Sequence, residues 1–148
     1  MMENTYRAAN IAFIDEWTKY AEAVGIDLYE VIDAIRVRPT HSNIRFPGLG
    51  VGGYCLTKDP AFAPAAARQL FGEESLKFPF SQLALQINQA MPAHTVMRMK
   101  NLLGESCKNT SILVLGVSYR QDVGDTRYSP VENTRARFGG RWCPGDLL

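Results

Sequence analysis

The sequence is poor in cysteine and has no long apolar run. Its three cysteines, Cys55, Cys107 and Cys143, are too sparse and dispersed for a disulfide framework, so we expect a reducing compartment, the cytoplasm. These cysteines and the two histidines lack zinc-ligand spacing, which argues against a metal site. No apolar run reaches the roughly 18 residues that predict a membrane-spanning helix.

An excess of charge of either sign is also missing. Sixteen basic residues against fifteen acidic ones leave a net charge of +1, so neither nucleic acid nor an anionic membrane is indicated as a partner. The start, "MMENTYRAAN", lacks the basic-then-apolar pattern of a secretory signal. A hydrophobic content of 46% with 21% charged residues is typical of a globular protein of about one domain.

The first half of the chain has a helical period. Residues 4–24 place Ile11, Ile14, Trp17 and Ala21 at three- and four-residue steps, which predicts a long amphipathic helix ending at Gly25. Asp27 is in the position of an N-cap for a second helix over residues 28–37,.

Two further helices are predicted after a glycine- and proline-rich segment. The third ends at Phe71 before Gly72, and the fourth covers residues 80–103 with Leu83, Ile87 and Ala90 on its apolar face. Pro92 predicts a kink or a break within the fourth helix,.

The last part of the chain changes its pattern. Residues 111–117, "SILVLGV", are short, apolar and rich in β-branched side chains, which predicts a buried strand that needs neighbours in a sheet. The end, "NTRARFGGRWCPGDLL", has no apolar period, so no element is predicted there.

The unusual stretch is "FPGLGVGGYCLTKDP", residues 46–60, where four glycines precede one cysteine. We call it the cysteine loop. From the residues alone three interpretations stay open. It is a phosphate-binding loop, although no convincing strand precedes its G-x-G-x-x-G spacing. It is a nucleophile loop, in which Lys58 and a helix start raise the potential near Cys55 and Asp59 orients water. Or Cys55 is an inert thiol and Asp59 only an N-cap.

Three blocks of the sequence together resemble one family. "PGLGVGGYCLTKDP" is similar to the active-site cysteine motif of the UDP-glucose/GDP-mannose dehydrogenase family. "ENTYRAANIAFIDEW" resembles the central helix of its N-acetylhexosamine branch, and "ILVLGVSYRQDVGDTRYSP" resembles the start of its C-terminal UDP-binding domain.

The resemblance implies a mainly α fold. Residues 1–103 would be the central helical dimerisation domain, which is like the C-terminal domain of 6-phosphogluconate dehydrogenase. Residues 104–132 would begin an incomplete α/β UDP-binding domain with its first strand, and residues 133–148 do not match. A homodimer through the central helices is therefore expected. Arg38 and Arg45 are both candidates for an arginine that reaches into the neighbouring subunit.

The resemblance also implies a chemistry, in which NAD oxidises the C6 alcohol of a UDP-sugar to a carboxylate in two steps. Cys55 would attack the intermediate aldehyde to give a thiohemiacetal, which becomes a thioester and is then hydrolysed. Asp59 would help to activate water, and Asn4 would stabilise the developing oxyanion.

The remaining site residues follow from the same resemblance. The glycines would wrap the substrate with backbone contacts, Lys58 would add a supporting charge, and Arg120 would lie near the nucleotide sugar. Arg127 matches an arginine that contacts NAD. The four glycines are Gly48, Gly50, Gly52 and Gly53.

The match also leaves out parts of the family pattern. No residue matches the catalytic lysine expected four positions before Asn4, and the NAD-binding domain lies outside the matching region. We therefore expect a fragment of a nucleotide-sugar 6-dehydrogenase that is inactive alone. The alternative is a dimerisation or interaction module that does not use Cys55.

Overall fold

The fold is helical. The computed structural model describes residues 1–104 and 110–138, which contain five α-helices and two short 3₁₀ turns but no β-strand. The helices are α1 (Met2–Val24), α2 (Leu28–Arg36), α3 (Phe62–Phe71), α4 (Pro79–Leu103) and α5 (Pro130–Phe138), and the 3₁₀ turns are Pro39–His41 and Asp59–Ala61. The predicted mainly α fold is thereby confirmed.

The first two helix boundaries follow local backbone chemistry. Gly25 ends α1 with a φ of 75°, a left-handed conformation that glycine adopts without a steric penalty. The carboxylate of Asp27 accepts hydrogen bonds from the backbone N–H groups of Tyr29 and Glu30, so it caps α2 as predicted.

Small side chains mediate the packing of α1 against α4. The buried residues are Ala8, Ala12, Ile14, Asp15 and Ala21 on α1 and Ser81, Ala84, Asn88, Met91, Pro92 and Val96 on α4. The predicted apolar faces were therefore partly wrong, because Trp17, Leu83 and Ala90 are exposed. Both helices carry apolar residues on two sides. The side that carries alanines packs inward, because small side chains allow the backbones of α1 and α4 to approach each other.

The fourth helix continues through Pro92, so it does not break there, and a kink at Pro92 stays a prediction. Neighbouring structure can compensate for a proline inside a helix although it removes one hydrogen bond. At the start of α3 the 3₁₀ turn Asp59–Ala61 absorbs Pro60, and Pro64 falls in the first turn of the helix.

A helix that the sequence analysis did not predict follows Ser129. Ser129 and Pro130 are buried at the start of α5, which packs against α4. Residues 110–117 have no regular secondary structure. A strand is defined by pairing with a neighbour, and the described residues contain no second strand, so the strand at residues 111–117 stays a prediction. Cys107 and Cys143 lie outside the described residues.

Membrane spanning is not indicated by the helices in the described part of the chain. None of them combines the length and the apolar character that crossing a bilayer requires,.

Candidate active site

The cysteine loop is held at its start by α2. The ring of Phe46 stacks on that of Tyr29 at a centroid distance of 5.3 Å, and the guanidinium carbon of Arg36 lies 4.0 Å from the centroid of Phe46. Arg36 also donates two hydrogen bonds, of 3.1 and 2.8 Å, to the carbonyl oxygen of Ile44. The stacked rings and the guanidinium together hold the start of the cysteine loop against α2.

Two of the predicted catalytic residues meet directly. The side-chain amide of Asn4, in the first turn of α1, donates a hydrogen bond of 2.7 Å to Oδ2 of Asp59. The two residues are 55 positions apart in the sequence, and both are half-buried. An amide carries two N–H donors, so one donor of Asn4 remains for a second acceptor.

Cys55 lies at the start of the turn that leads to Asp59. The backbone N–H groups of Lys58 and Asp59 donate to the carbonyl oxygen of Cys55 at 3.2 and 2.8 Å. The hydroxyl of Thr57 donates to the carbonyl oxygen of Gly53 at 2.8 Å. The thiol-bearing residue itself is exposed, so a solute can reach it.

Two cations flank the side chain next to Cys55. The ammonium of Lys58 lies 3.1 Å from the ring centroid of Tyr54, and the guanidinium carbon of Arg127 lies 5.4 Å from it. Lys58, by hydrogen bonding and by its charge, lowers the pKa of the Tyr54 hydroxyl below its usual value. Two cationic side chains therefore lie close to the residue that precedes Cys55.

Residues 119–130 close over the two glycines nearest to Cys55. The N–H of Gly53 donates to the carbonyl oxygen of Arg127 at 2.9 Å. A Cβ at Gly52 would lie 2.4 Å from Cβ of Tyr119, and one at Gly53 would lie 2.9 Å from the Tyr119 ring. Glycine is needed at both positions because the neighbouring segment occupies the space of a side chain.

Arg127 is oriented by Asp125. Its guanidinium donates hydrogen bonds of 3.0, 3.1 and 2.7 Å to the Asp125 carboxylate, and these bonds lower the pKa of Asp125 to about 2. Arg120 is exposed on the same segment.

The predicted site residues do not all lie in one place. The structure brings Asn4, Cys55, Lys58 and Asp59 together with Gly52, Gly53 and Arg127. Gly50 lies against α4. Gly48 lines a separate cleft of about 380 Å³ with Glu22, His94 and Arg98.

His94 pairs with an acidic residue in that cleft. Its Nε2 lies 2.7 Å from Oε2 of Glu22. The described residues include no group of three metal-ligating side chains.

The sequence analysis missed Tyr54 and Tyr119. Tyr119 covers the glycines, and Tyr54 receives both cations. For Tyr119 the signal was available, because consecutive glycines predict a close approach of another group to the backbone. For Tyr54 the sequence carried no signal, because its contact with Arg127 depends on where the tertiary fold places Arg127.

Comparison with known proteins bears on this arrangement. The model of the UDP-glucose/GDP-mannose dehydrogenase family, central domain, matches residues 1–90. The chain belongs to this family.

Similar relatives are nucleotide-sugar dehydrogenases by name. The chain is 37% identical over 138 residues to the UDP-N-acetyl-D-mannosamine dehydrogenase of Methanocaldococcus jannaschii, covering 93% of the chain and 30% of the relative. It is 31% identical over 134 residues to the NDP-N-acetyl-D-galactosaminuronic acid dehydrogenase of Ralstonia nicotianae, covering 88% of the chain and 29% of the relative. The chain thus spans about 30% of the length of such relatives.

Solved structures of the family share the fold. The UDP-D-ManNAc dehydrogenase of Pyrococcus horikoshii matches with a TM-score of 0.77 and 32% identity, over 93% of this chain and 32% of that one. The NDP-N-acetyl-D-galactosaminuronic acid dehydrogenase of Methanosarcina mazei Go1 matches with a TM-score of 0.79 and 27% identity, over 99% of this chain and 36% of that one. The helical arrangement described above is therefore that of family members.

Proposed function

We propose that the chain is the nucleophile-bearing part of a nucleotide-sugar 6-dehydrogenase, which oxidises the C6 alcohol of a UDP-sugar to a uronate. The observation that carries the proposal is the 2.7 Å hydrogen bond from Asn4 to Asp59, one turn from an exposed Cys55. It unites an amide donor, a carboxylate and a thiol, the three groups that thiol-mediated oxidation of an aldehyde requires.

The residues have distinct roles in this chemistry. The thiolate of Cys55 adds to the aldehyde carbon, and the carbonyl oxygen takes up the negative charge. The free N–H of Asn4 donates to that oxygen, since its other N–H is engaged by Asp59. After loss of hydride the sugar is a thioester of Cys55. Asp59 then accepts a proton from water, which attacks the thioester and releases the carboxylate and the thiol.

Hydride removal requires two molecules of NAD⁺ in turn, each of which would accept one hydride when bound. The described residues do not form a nicotinamide site on their own, because they contain no strand and hence no dinucleotide-binding βαβ unit,. Arg127 is the single predicted cofactor contact present, and Asp125 holds its guanidinium. We therefore propose that the chain alone does not turn over.

The substrate that fits the proposal best is a UDP-N-acetylhexosamine. The names of the relatives support it, since they include UDP-N-acetyl-D-mannosamine and NDP-N-acetyl-D-galactosaminuronic acid dehydrogenases. Lys58 within the cysteine loop and Arg127 beside it supply positive charge for an anionic ligand,. Arg120 and the glycines remain proposed substrate contacts, and the cytoplasm remains the proposed location.

Covalent capture of the aldehyde tests the role of Cys55. The chain is mixed with the 6-aldehyde of UDP-N-acetylmannosamine, labelled with carbon-13 at C6. We expect a protein-bound carbon signal distinct from those of the free aldehyde and its hydrate. Cys55→Ser should abolish the signal, whereas the matched Cys107→Ser should retain it. A signal that persists in Cys55→Ser, or none in the unmodified chain, would contradict the proposal.

The same preparation tests the proposed inactivity. With NAD⁺ and the parent nucleotide sugar we expect no sustained NADH formation. Sustained formation that Cys55→Ser abolishes would show instead that the chain binds NAD productively.

A second candidate function, self-association, is favoured by one feature of α1. Phe13, Trp17 and Tyr20 recur on one side of the helix, and each is at least 45% exposed. Their rings contact one another at centroid distances of 6.1 and 5.5 Å. An exposed aromatic cluster of this kind is typical of an interaction surface. We propose that a second copy of the chain covers it in a homodimer, which is compatible with the enzymatic role.

A further inference from the structure

Pro92 leaves one carbonyl of α4 without its usual partner. Proline has no backbone N–H, so the carbonyl oxygen of Asn88, four residues earlier, receives no hydrogen bond from position 92. Asn88 and Pro92 are both buried.

The neighbour at this place is Gly50 of the cysteine loop. A Cβ at Gly50 would lie 3.0 Å from the carbonyl oxygen of Asn88, 3.4 Å from Cβ of Met91 and 3.4 Å from Cδ of Pro92. The cysteine loop can pack this closely on the carbonyl oxygen of Asn88 and the ring of Pro92 because glycine carries only a hydrogen in place of Cβ,. The φ of Gly50 is +125°, which side-chain-bearing residues rarely adopt.

The same turn of α4 also holds α1. The side-chain amide of Asn88 donates a buried hydrogen bond of 2.9 Å to the carbonyl oxygen of Ala8. Ala8 lies one helical turn after Asn4, which reaches Asp59 at the far end of the cysteine loop. One turn of α4 thus contacts the helix that carries Asn4 and the loop that carries Cys55.

We propose that the Asn88–Pro92 turn is a positioning element that sets the cysteine loop relative to α1. Pro92 acts by packing its ring against Gly50, and Asn88 acts by fixing α1 through Ala8. Pro92 and Asn88 are positioning residues, since neither contacts Cys55. The inference rests on the proposed function only where it regards Cys55 as the nucleophile.

Amide hydrogen exchange, resolved by NMR, tests this element in the chain itself. Pro92→Ala restores an N–H to the helix and removes the Cδ atom that packs against Gly50,. We expect exchange at the amides of Gly53, Lys58 and Asp59 to accelerate about tenfold, because a loop that is held less firmly opens more often. The melting temperature should not fall, because alanine favours a helix more than proline does.

Two matched substitutions serve as controls. Pro64→Ala changes a proline in the first turn of α3, where the N–H has no partner within the helix,. Gly48→Ala changes a glycine with nothing within 4 Å of a Cβ. Both should leave exchange in the cysteine loop unchanged.

Gly50→Ala tests whether the substitutions at Gly50 and Pro92 act on the same contact. By itself it should accelerate loop exchange about tenfold. Because both substitutions remove the same contact, the double variant Gly50→Ala/Pro92→Ala should exchange no faster than the single ones. If Gly50→Ala acted through backbone strain alone, its effect on the exchange rate would instead multiply with that of Pro92→Ala.

The inference is overturned if Pro92→Ala leaves loop exchange unchanged, or if the two effects multiply. Exchange requires neither substrate nor turnover. Failure of Cys55 to capture the aldehyde would therefore refute the proposed function while leaving this coupling measurable.

Discussion

Asp15 is an acidic residue in a buried environment that disfavours its charged form. It is fully buried on the side of α1 that faces α4, and neither carboxylate oxygen has a hydrogen-bond partner within the described residues. Burial raises the pKa of Asp15 from 3.8 to about 7, and the charge of Lys19 offsets part of this effect. An uncompensated buried carboxylate is costly when ionised.

This raised pKa predicts a stability that falls with pH. The folded chain binds the Asp15 proton more tightly than the unfolded chain, so the contribution is largest below about pH 4 and is lost as pH rises to about 7,. One pKa unit corresponds to about 1.4 kcal/mol, so Asp15→Asn should stabilise the chain above pH 7 by on the order of 2–4 kcal/mol.

Urea unfolding at several pH values between acidic and mildly alkaline conditions measures this effect. The exposed Asp33 of α2 provides the control, since Asp33→Asn should leave the pH profile as it is. A profile that Asp15→Asn does not alter would mean that the carboxylate finds a partner in solution.

At this scale the motif predicted Cys55, Asp59 and Asn4 as one site, and the hydrogen bond between Asn4 and Asp59 agrees with that grouping. Their roles stay predictions. The burial of Asp15 could not be predicted, because Asp15 lies next to Ile14 and Glu16 and a small rotation of α1 decides which of them faces α4.

Among the structural elements, the contact between the cysteine loop and residues 119–130 depends most on a single glycine. A methyl group at position 52 would overlap Cβ of Tyr119 and approach Pro130 Cδ and the Tyr128 carbonyl oxygen to 3.0 Å. Three neighbours, two of them backbone or ring atoms, leave the methyl group no direction in which to relax.

Gly52→Ala should therefore displace residues 119–130 from the loop at a cost of about 1–3 kcal/mol, the usual range for overpacking. Trypsin should then cut faster after Arg120 and Arg127, because proteolysis reports the population of the open form. Gly48→Ala is the matched control and should be cut at the original rate. Equal rates for both variants would place Tyr119 away from Gly52.

Element boundaries were predictable where a local signal marks them. Gly25 and Asp27 ended α1 and began α2 as the sequence indicated. The start of α5 carries the same kind of signal, with Ser129 before Pro130 and Glu132 in the first turn,. No helix was predicted there because the segment has no apolar period. The apolar face of α4 was wrong because periodicity cannot distinguish the side that packs closely from the side that remains exposed.

At the scale of the whole molecule, the aromatic face of α1 is an exposed apolar surface in the described part of the chain. Trp17 is 45% exposed at its centre, although the helical period groups it with Ile14 and Ala21, which are buried. The core formed by the described residues therefore does not include Trp17.

Trp17→Glu should weaken association of the chain with a second copy at least tenfold, since a buried charge without a partner is strongly unfavourable at an interface. Sedimentation at increasing concentration measures the change. The control is Leu70→Glu on α3, which is also exposed and lies outside the aromatic face. A chain that remains monomeric at high concentration before any substitution would refute the homodimer.

The family and the helical fold were predictable from the sequence because three separate motifs agreed in order and spacing. How the molecule distributes its apolar side chains was not, since a helix with two apolar sides gives no indication of which one meets the rest of the protein. Packing between distant segments, such as residues 8 and 88, decides it.

Residues 110–117 expose apolar side chains that bear on the solubility of the chain. Leu113 and Leu115 are 76% and 87% exposed on a backbone without regular secondary structure. The net charge is only +1, so electrostatic repulsion between copies is weak near neutral pH. These two leucines therefore add to the exposed apolar surface through which copies of the chain can associate, and we expect salts that strengthen apolar association to lower its solubility.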